Sequence, residues 1–163
     1  TLMSNLGFEH ALGRLGIDFA RTRVGDRYIM ERLKQDGGIL GGEPSGHIIC
    51  RDRTTTGDGI VAALQVLEAL VETGTSIEDL AGEVKLYPQI LVNVRLDQSR
   101  DILDLPAIQD GVAAAERELM GKGRILLRPS GTEPLIRVMV EGEDRDKVET
   151  IAHRLADLVR EQL

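Results

Sequence analysis

Aromatic side chains are nearly missing from this chain: no Trp, two Tyr and two Phe among 163 residues. That argues against a surface that holds single-stranded nucleic acid by stacking bases on ring faces. Cysteine is almost absent as well. Cys50 alone cannot close an intrachain disulfide, and with His10, His47 and His153 scattered along the chain it does not spell a zinc site. No metal ligand set is expected, and a reducing, cytoplasmic setting fits best. Positive charge is in deficit, with 20 Lys+Arg against 27 Asp+Glu for a net −7, so the overall field repels polyanions. Any bound anion must therefore be held by a local cluster of donors. Long apolar runs are missing too. The most apolar helix candidate, Ile60–Val71, is interrupted by Gln65 and Glu68, and Thr1–Asn5 lacks a basic segment leading into an apolar stretch. Neither a membrane span nor a secretion signal is expected. The sequence also contains no Walker phosphate loop and no dinucleotide glycine fingerprint.

What remains is a globular composition, 42% apolar and 29% charged, long enough for one ordinary domain or two small ones. The chain opens at Thr1 and runs at once into patterned sequence, which reads as a piece of a longer protein. Leu2–Ser4 resembles a strand end, Asn5 a cap for a short helix through Leu15, and Ile17–Val24 a strand carrying Arg21 and Arg23. A helix with Ile29, Met30 and Leu33 on one side follows and stops at Gly37-Gly38. Short strands at Ile39-Leu40 and Ile48–Cys50 flank a compact loop. Asp58 can cap a helix over Gly59–Glu72, and Thr75–Glu78 resembles a capping box for a short helix to about Val84. Alternating strands and helices make this a layered α/β unit. Periodicity stops at Lys85–Pro88, the candidate boundary. Beyond it, strands at Ile90–Val94, Arg124–Leu127 and Leu135–Val140 and helices at Ala107–Met120 and Arg145–Gln162 read as α+β, a small sheet backed by two helices.

Arg128-Pro129-Ser130-Gly131-Thr132-Glu133-Pro134, followed by Arg137, is the most informative segment. If its flanking strands pair as a hairpin, two guanidinium groups stand together at the mouth. With Ser130 and Thr132 hydroxyls and a backbone turned by Gly131, they make a cradle for a dianion. The plain alternative is a polar turn whose arginines lie on solvent or pair with Glu133 and Glu141. A second loop, Gly42-Glu43-Pro44-Ser45-Gly46-His47, gathers a carboxylate, a hydroxyl and an imidazole, the groups a polyol site needs. It reads equally well as a solvated turn. Asp26, near Arg21, Arg23 and Arg27, reads first as a carboxylate complementing a helix N-terminus, and Thr54–Gly59 reads first as a capping turn. Cys50 has no activating base nearby in sequence, and His10 and His153 fall within helix patterns.

Taken together, these segments resemble one family. Gly42–His47 is similar to the sugar-binding loop of the α-D-phosphohexomutases, and Arg128–Pro134 with Arg137 to their C-terminal phosphate-binding loop. Val24-Gly25-Asp26-Arg27-Tyr28 resembles their specificity loop in the form used by phosphoglucosamine mutases. Thr54–Gly59 and the Tyr87–Val94 strand agree with that branch, and the resemblance covers essentially the whole chain.

The family has four domains. The resemblance implies an incomplete, sugar-binding third domain over residues 1–84, a partial three-layer α/β unit, and a phosphate-binding fourth domain over 85–163. It implies interconversion of glucosamine 6-phosphate and glucosamine 1-phosphate through a phosphoserine and a hexosamine 1,6-bisphosphate. The serine and the ligands of the Mg2+ ion belong to first and second domains not represented here, so this chain alone should not catalyse the reaction, and no metal role passes to Asp58. Glu43 and Ser45 would grip ring hydroxyls, with His47 a sugar contact or proton-transfer group. Arg128, Ser130, Gly131, Thr132 and Arg137 would hold phosphate. An acidic Asp26 would favour a protonated 2-amino group. Apolar surface meant for the missing elements could drive copies into a homo-oligomer. The rivals are a phosphomannomutase or phosphoglucomutase of the same superfamily, and a noncatalytic phosphosugar-binding module.

Overall fold

A computed structural model describes residues 1–96, 102–130 and 133–163. They fall into two compact units, Thr1–Lys85 and Leu86–Leu163. Among the described residues no helix is long and apolar enough to cross a membrane.

In the first unit, α1 (Leu6–Arg14) starts where the Asn5 side chain accepts the Gly7 N–H, and Gly16 turns the chain away at φ +70°. Helix α2 (Asp26–Asp36) follows Gly25 and ends at Gly37, again left-handed. Strands β1 (Leu40–Gly42) and β2 (Ile48–Cys50) pair antiparallel, Gly41 opposite Ile49. Helix α3 (Gly59–Thr73) is capped by Asp58, whose Oδ1 accepts from the Ile60 and Val61 N–H groups at 2.8 and 3.0 Å. Helix α4 (Ile77–Gly82) is capped by Ser76, reciprocally with Asp79 rather than with the expected Glu78.

Three sequence expectations for this unit need correction. Leu2–Ser4 is a turn and Ile17–Val24 is irregular; neither is a strand. The Leu2 N–H donates to the Thr22 carbonyl at 2.8 Å, but no strand ladder is formed there. β-branched composition creates the preference, and a paired neighbour is what turns it into a strand. Third, α4 stops at Gly82, short of Val84. The apolar stripe of α3 is also left open: Ile60, Leu64, Leu67 and Val71 are all exposed, while Ala62 is buried.

The second unit contains β3 (Gln89–Arg95), α5 (Pro106–Leu119), β4 (Gly123–Pro129), β5 (Leu135–Gly142) and α6 (Arg145–Glu161). Its sheet is antiparallel in the order β3-β5-β4, with Val138 opposite both Val92 and Leu127. Strand alternation sends Val94, Ile136, Val138 and Val140 to one face, where the α6 stripe Val148, Ile151, Ala152, Leu155 and Val159 covers them with Ile108, Ala115 and Leu119 of α5. The other face carries Arg128, Leu126 and Arg124 of β4 beside Arg137, Met139 and Glu141 of β5. That division places the candidate anion-binding side chains opposite the core.

Candidate functional site

The register between β4 and β5 sets Arg128 directly opposite Arg137. The hairpin is closed beyond them by the Ser130 N–H donating to the Leu135 carbonyl at 2.8 Å. Like charges in direct cross-strand pairing repel. The Arg128 guanidinium is accordingly pulled below its ordinary pKa, first by burial and then by the charge of Arg137. The Nε atoms of both arginines are buried, and neither has a hydrogen-bond partner among the described residues. Two crowded cations with unused donors are arranged to receive an anion with several acceptor oxygens.

The competing expectation, neutralisation by Glu133 and Glu141, fits only loosely. Glu133 reaches Arg137 at 3.8 Å from an exposed position. Glu141 is fully buried and engaged elsewhere: Arg124 Nε donates to its Oε1, and Gln89 Nε2 donates to its Oε2 at 2.6 Å. Arg128 makes no ion pair among the described residues. Gly131 and Thr132, both expected in the cradle, lie outside the described residues.

Sequence reasoning missed two features of this face. Asn93 of β3 lies opposite Arg137, so Arg128, Arg137 and Asn93 form one row across the three strands. The buried Glu141, with Arg124 and Gln89 on either side of it, sits two pairs further along the same face. Period-two spacing marked which residues share a face within each strand, but only the strand order puts β5 between β3 and β4.

In the first unit, the turn between β1 and β2 is built by backbone bonds: the Glu43 N–H donates to the His47 carbonyl at 2.9 Å, and the Gly46 N–H to the Glu43 carbonyl at 3.0 Å. Gly46, at φ +91°, closes it in a conformation that a Cβ would strain. Ser45 Oγ lies 2.8 Å from His47 Nδ1, and both residues are exposed. Glu43 is half-buried, and its Oε1 accepts the Gly25 N–H at 2.9 Å. That bond joins the second loop to the turn that begins α2. Asp26, half-buried, is the next residue, and its carboxylate has no ion pair or hydrogen bond among the described residues. Asp26 Oδ2 lies so near Gly57 that a Cβ there would come within 2.7 Å of it. The loops bearing Asp26, Glu43 and Gly57 therefore meet. Arg23, expected near Asp26, instead stacks over the Tyr28 ring at 5.4 Å, and Arg21 pairs with Glu9 at 2.8 Å. Among the described residues no three His, Cys, Asp or Glu side chains converge as a metal site.

The hairpin of paired arginines and the interlocked loops belong to a known architecture. The chain is a member of the phosphoglucomutase/phosphomannomutase family: residues 1–87 match its alpha/beta/alpha domain III and residues 91–158 its C-terminal domain. Phosphoglucosamine mutase of Erwinia tasmaniensis is 60% identical over 160 residues, covering 98% of this chain and 36% of that protein. The chain thus spans little more than a third of the length of such relatives. N-acetylglucosamine-phosphate mutase, a member of the α-D-phosphohexomutase superfamily solved in its substrate complex, superposes with a TM-score of 0.80 over 97% of this chain and 37% of its own, at 20% identity. That likeness concerns fold. N-acetylphosphoglucosamine mutase of Aspergillus fumigatus, solved with GlcNAc-6P and magnesium, matches 69% of this chain and 22% of its own at 26% identity, with a TM-score of 0.57.

Proposed function

We propose that this chain supplies the sugar-binding and phosphate-binding parts of a phosphoglucosamine mutase, which interconverts glucosamine 6-phosphate and glucosamine 1-phosphate. The observation that carries this reading is the direct opposition of Arg128 and Arg137 with both Nε donors unused. Residues 1–84 serve as the sugar-binding third domain and 85–163 as the phosphate-binding fourth domain. A phosphoserine elsewhere in the enzyme gives its phosphoryl group to a sugar hydroxyl, whose proton passes to a base. The resulting hexosamine 1,6-bisphosphate turns end for end and returns its other phosphoryl group to the serine oxygen. Phosphoryl transfer depends on positioning and charge stabilisation, and holding the nonreacting phosphate is the task of Arg128, Arg137, Ser130, Gly131 and Thr132.

On the sugar side, Glu43 keeps one carboxylate oxygen on the Gly25 N–H, leaving the other for a ring hydroxyl. Ser45 contacts a neighbouring hydroxyl. His47, hydrogen-bonded to Ser45, is oriented to touch the sugar or to accept a proton. Asp26 favours an ammonium at the 2-position over a hydroxyl. Mg2+ is assigned to the second domain of the family, outside this chain, and no step here passes through it. The setting is cytoplasmic, and this chain by itself is inactive.

Kinetics of the enzyme that carries this chain test the proposal. Turnover of glucosamine 6-phosphate should exceed that of glucose 6-phosphate and mannose 6-phosphate, and Arg128→Ala should raise KM for the amino sugar roughly tenfold or more. Equal turnover of the three sugars would give the specificity to the phosphomannomutase or phosphoglucomutase reading.

A further inference from the structure

The structure assigns a role to Gly57 that its place in a capping turn conceals: we infer that Gly57 is a positioning residue for sugar discrimination, because the space left by its missing side chain seats the Asp26 carboxylate. The inference rests on the reading of Asp26 as the group that selects the amino sugar, and deepens it.

Three observations converge on this point. A Cβ built on Gly57 would stand 2.7 Å from Asp26 Oδ2, closer than real Cβ atoms approach a neighbour, whereas its next-nearest contact outside Asp26, the Ile48 carbonyl, is at an ordinary 3.7 Å. The backbone leading into Asp26 is held in place, since the preceding residue, Gly25, takes φ +123° and gives its N–H to Glu43 Oε1. Finally, the half-buried Asp26 carboxylate is not consumed by any ion pair or hydrogen bond among the described residues. A carboxylate held against a bare backbone and left without a protein cation remains a charge for a ligand to neutralise. Gly57 does not need glycine for its own backbone, as its φ lies outside the left-handed range. Its demand for glycine comes from the neighbour.

Gly57→Ala is therefore a selective probe. The turn accepts alanine, Asp58 still caps α3, and only the flexible end of Asp26 must move. In the full enzyme, the ratio of kcat/KM for glucosamine 6-phosphate to that for glucose 6-phosphate is measured for the native protein, Asp26→Asn, Gly57→Ala and the double variant. The expected result is a fall of roughly fivefold or more in that ratio for each single variant, with no further fall when Gly57→Ala is added to Asp26→Asn. If Asp26→Asn lowers the ratio and Gly57→Ala does not, the inference is wrong and the reading of Asp26 stands. An equal effect of Gly57→Ala with and without the Asp26 carboxylate also overturns it, because the route does not then run through Asp26. An unchanged ratio in Asp26→Asn removes the underlying reading and the inference with it. Thermal unfolding checks each variant, and should Gly57→Ala fail to fold, Asp26→Glu replaces it. The longer arm cannot occupy the same seat, so the ratio should again fall, and an unchanged ratio would contradict the assignment.

Discussion

At the scale of single residues, a half-buried pair of cations and a buried carboxylate stand on one sheet face and are resolved differently. Arg128 and Arg137 oppose each other across β4 and β5. The pKa of Arg128 is lowered on folding by burial and by Arg137. For a base, a lowered folded pKa means the folded state holds the cation at a cost, and that cost is present at every pH below the folded pKa, the whole working range of arginine. A dianion relieves it. Glu141, by contrast, is already compensated by Arg124 and Gln89. Arg124→Ala takes away the charge partner of a fully buried carboxylate, and urea unfolding should show a loss of about 3–5 kcal/mol. A loss below about 1 kcal/mol would mean that Glu141 does not depend on that pair.

At the scale of elements, the helices were legible because their signals are local. Asn5 and Asp58 each accept N–H groups from the first turn they cap, and α6 buries the stripe its spacing foretold. Asp58→Ala should destabilise the first unit by roughly 1 kcal/mol, read as a lower unfolding midpoint with far-UV helicity retained; an unchanged midpoint would mean water replaces the cap. The strands of the second unit were legible as strands, β3 included, but pairing was legible only where partners lie along the same hairpin. The pairing of Arg128 with Arg137 follows from two strands joined by a short loop, whereas the placement of Asn93 in the same row needs β3 to cross to the far side of β5. Ile17–Val24 misled for the same reason: its composition suits a sheet, and sheet formation is a property of neighbours. The Asp26–Gly57 approach was illegible too, since the two residues are far apart in sequence and glycine leaves no chemical mark of the space it grants.

At the scale of the whole molecule, the two units contrast in how their apolar residues are covered. The second has a closed core of strand and helix residues, while the first leaves the α3 stripe exposed and has one two-stranded ladder among its described residues. With a net charge of −7, nonspecific attraction would not draw in a sugar phosphate, so the proposed function assigns its affinity to the local arginine pair. Isothermal titration calorimetry with glucosamine 6-phosphate, on the native protein and on Arg128→Ala and Arg137→Ala, tests that claim most directly. The account predicts at least a tenfold loss of affinity in each variant, the scale of about 1.5–3 kcal/mol for hydrogen bonds to charged groups, with unfolding temperatures equal to or above the native one because the cross-strand repulsion is gone. Native affinity in both variants would contradict it.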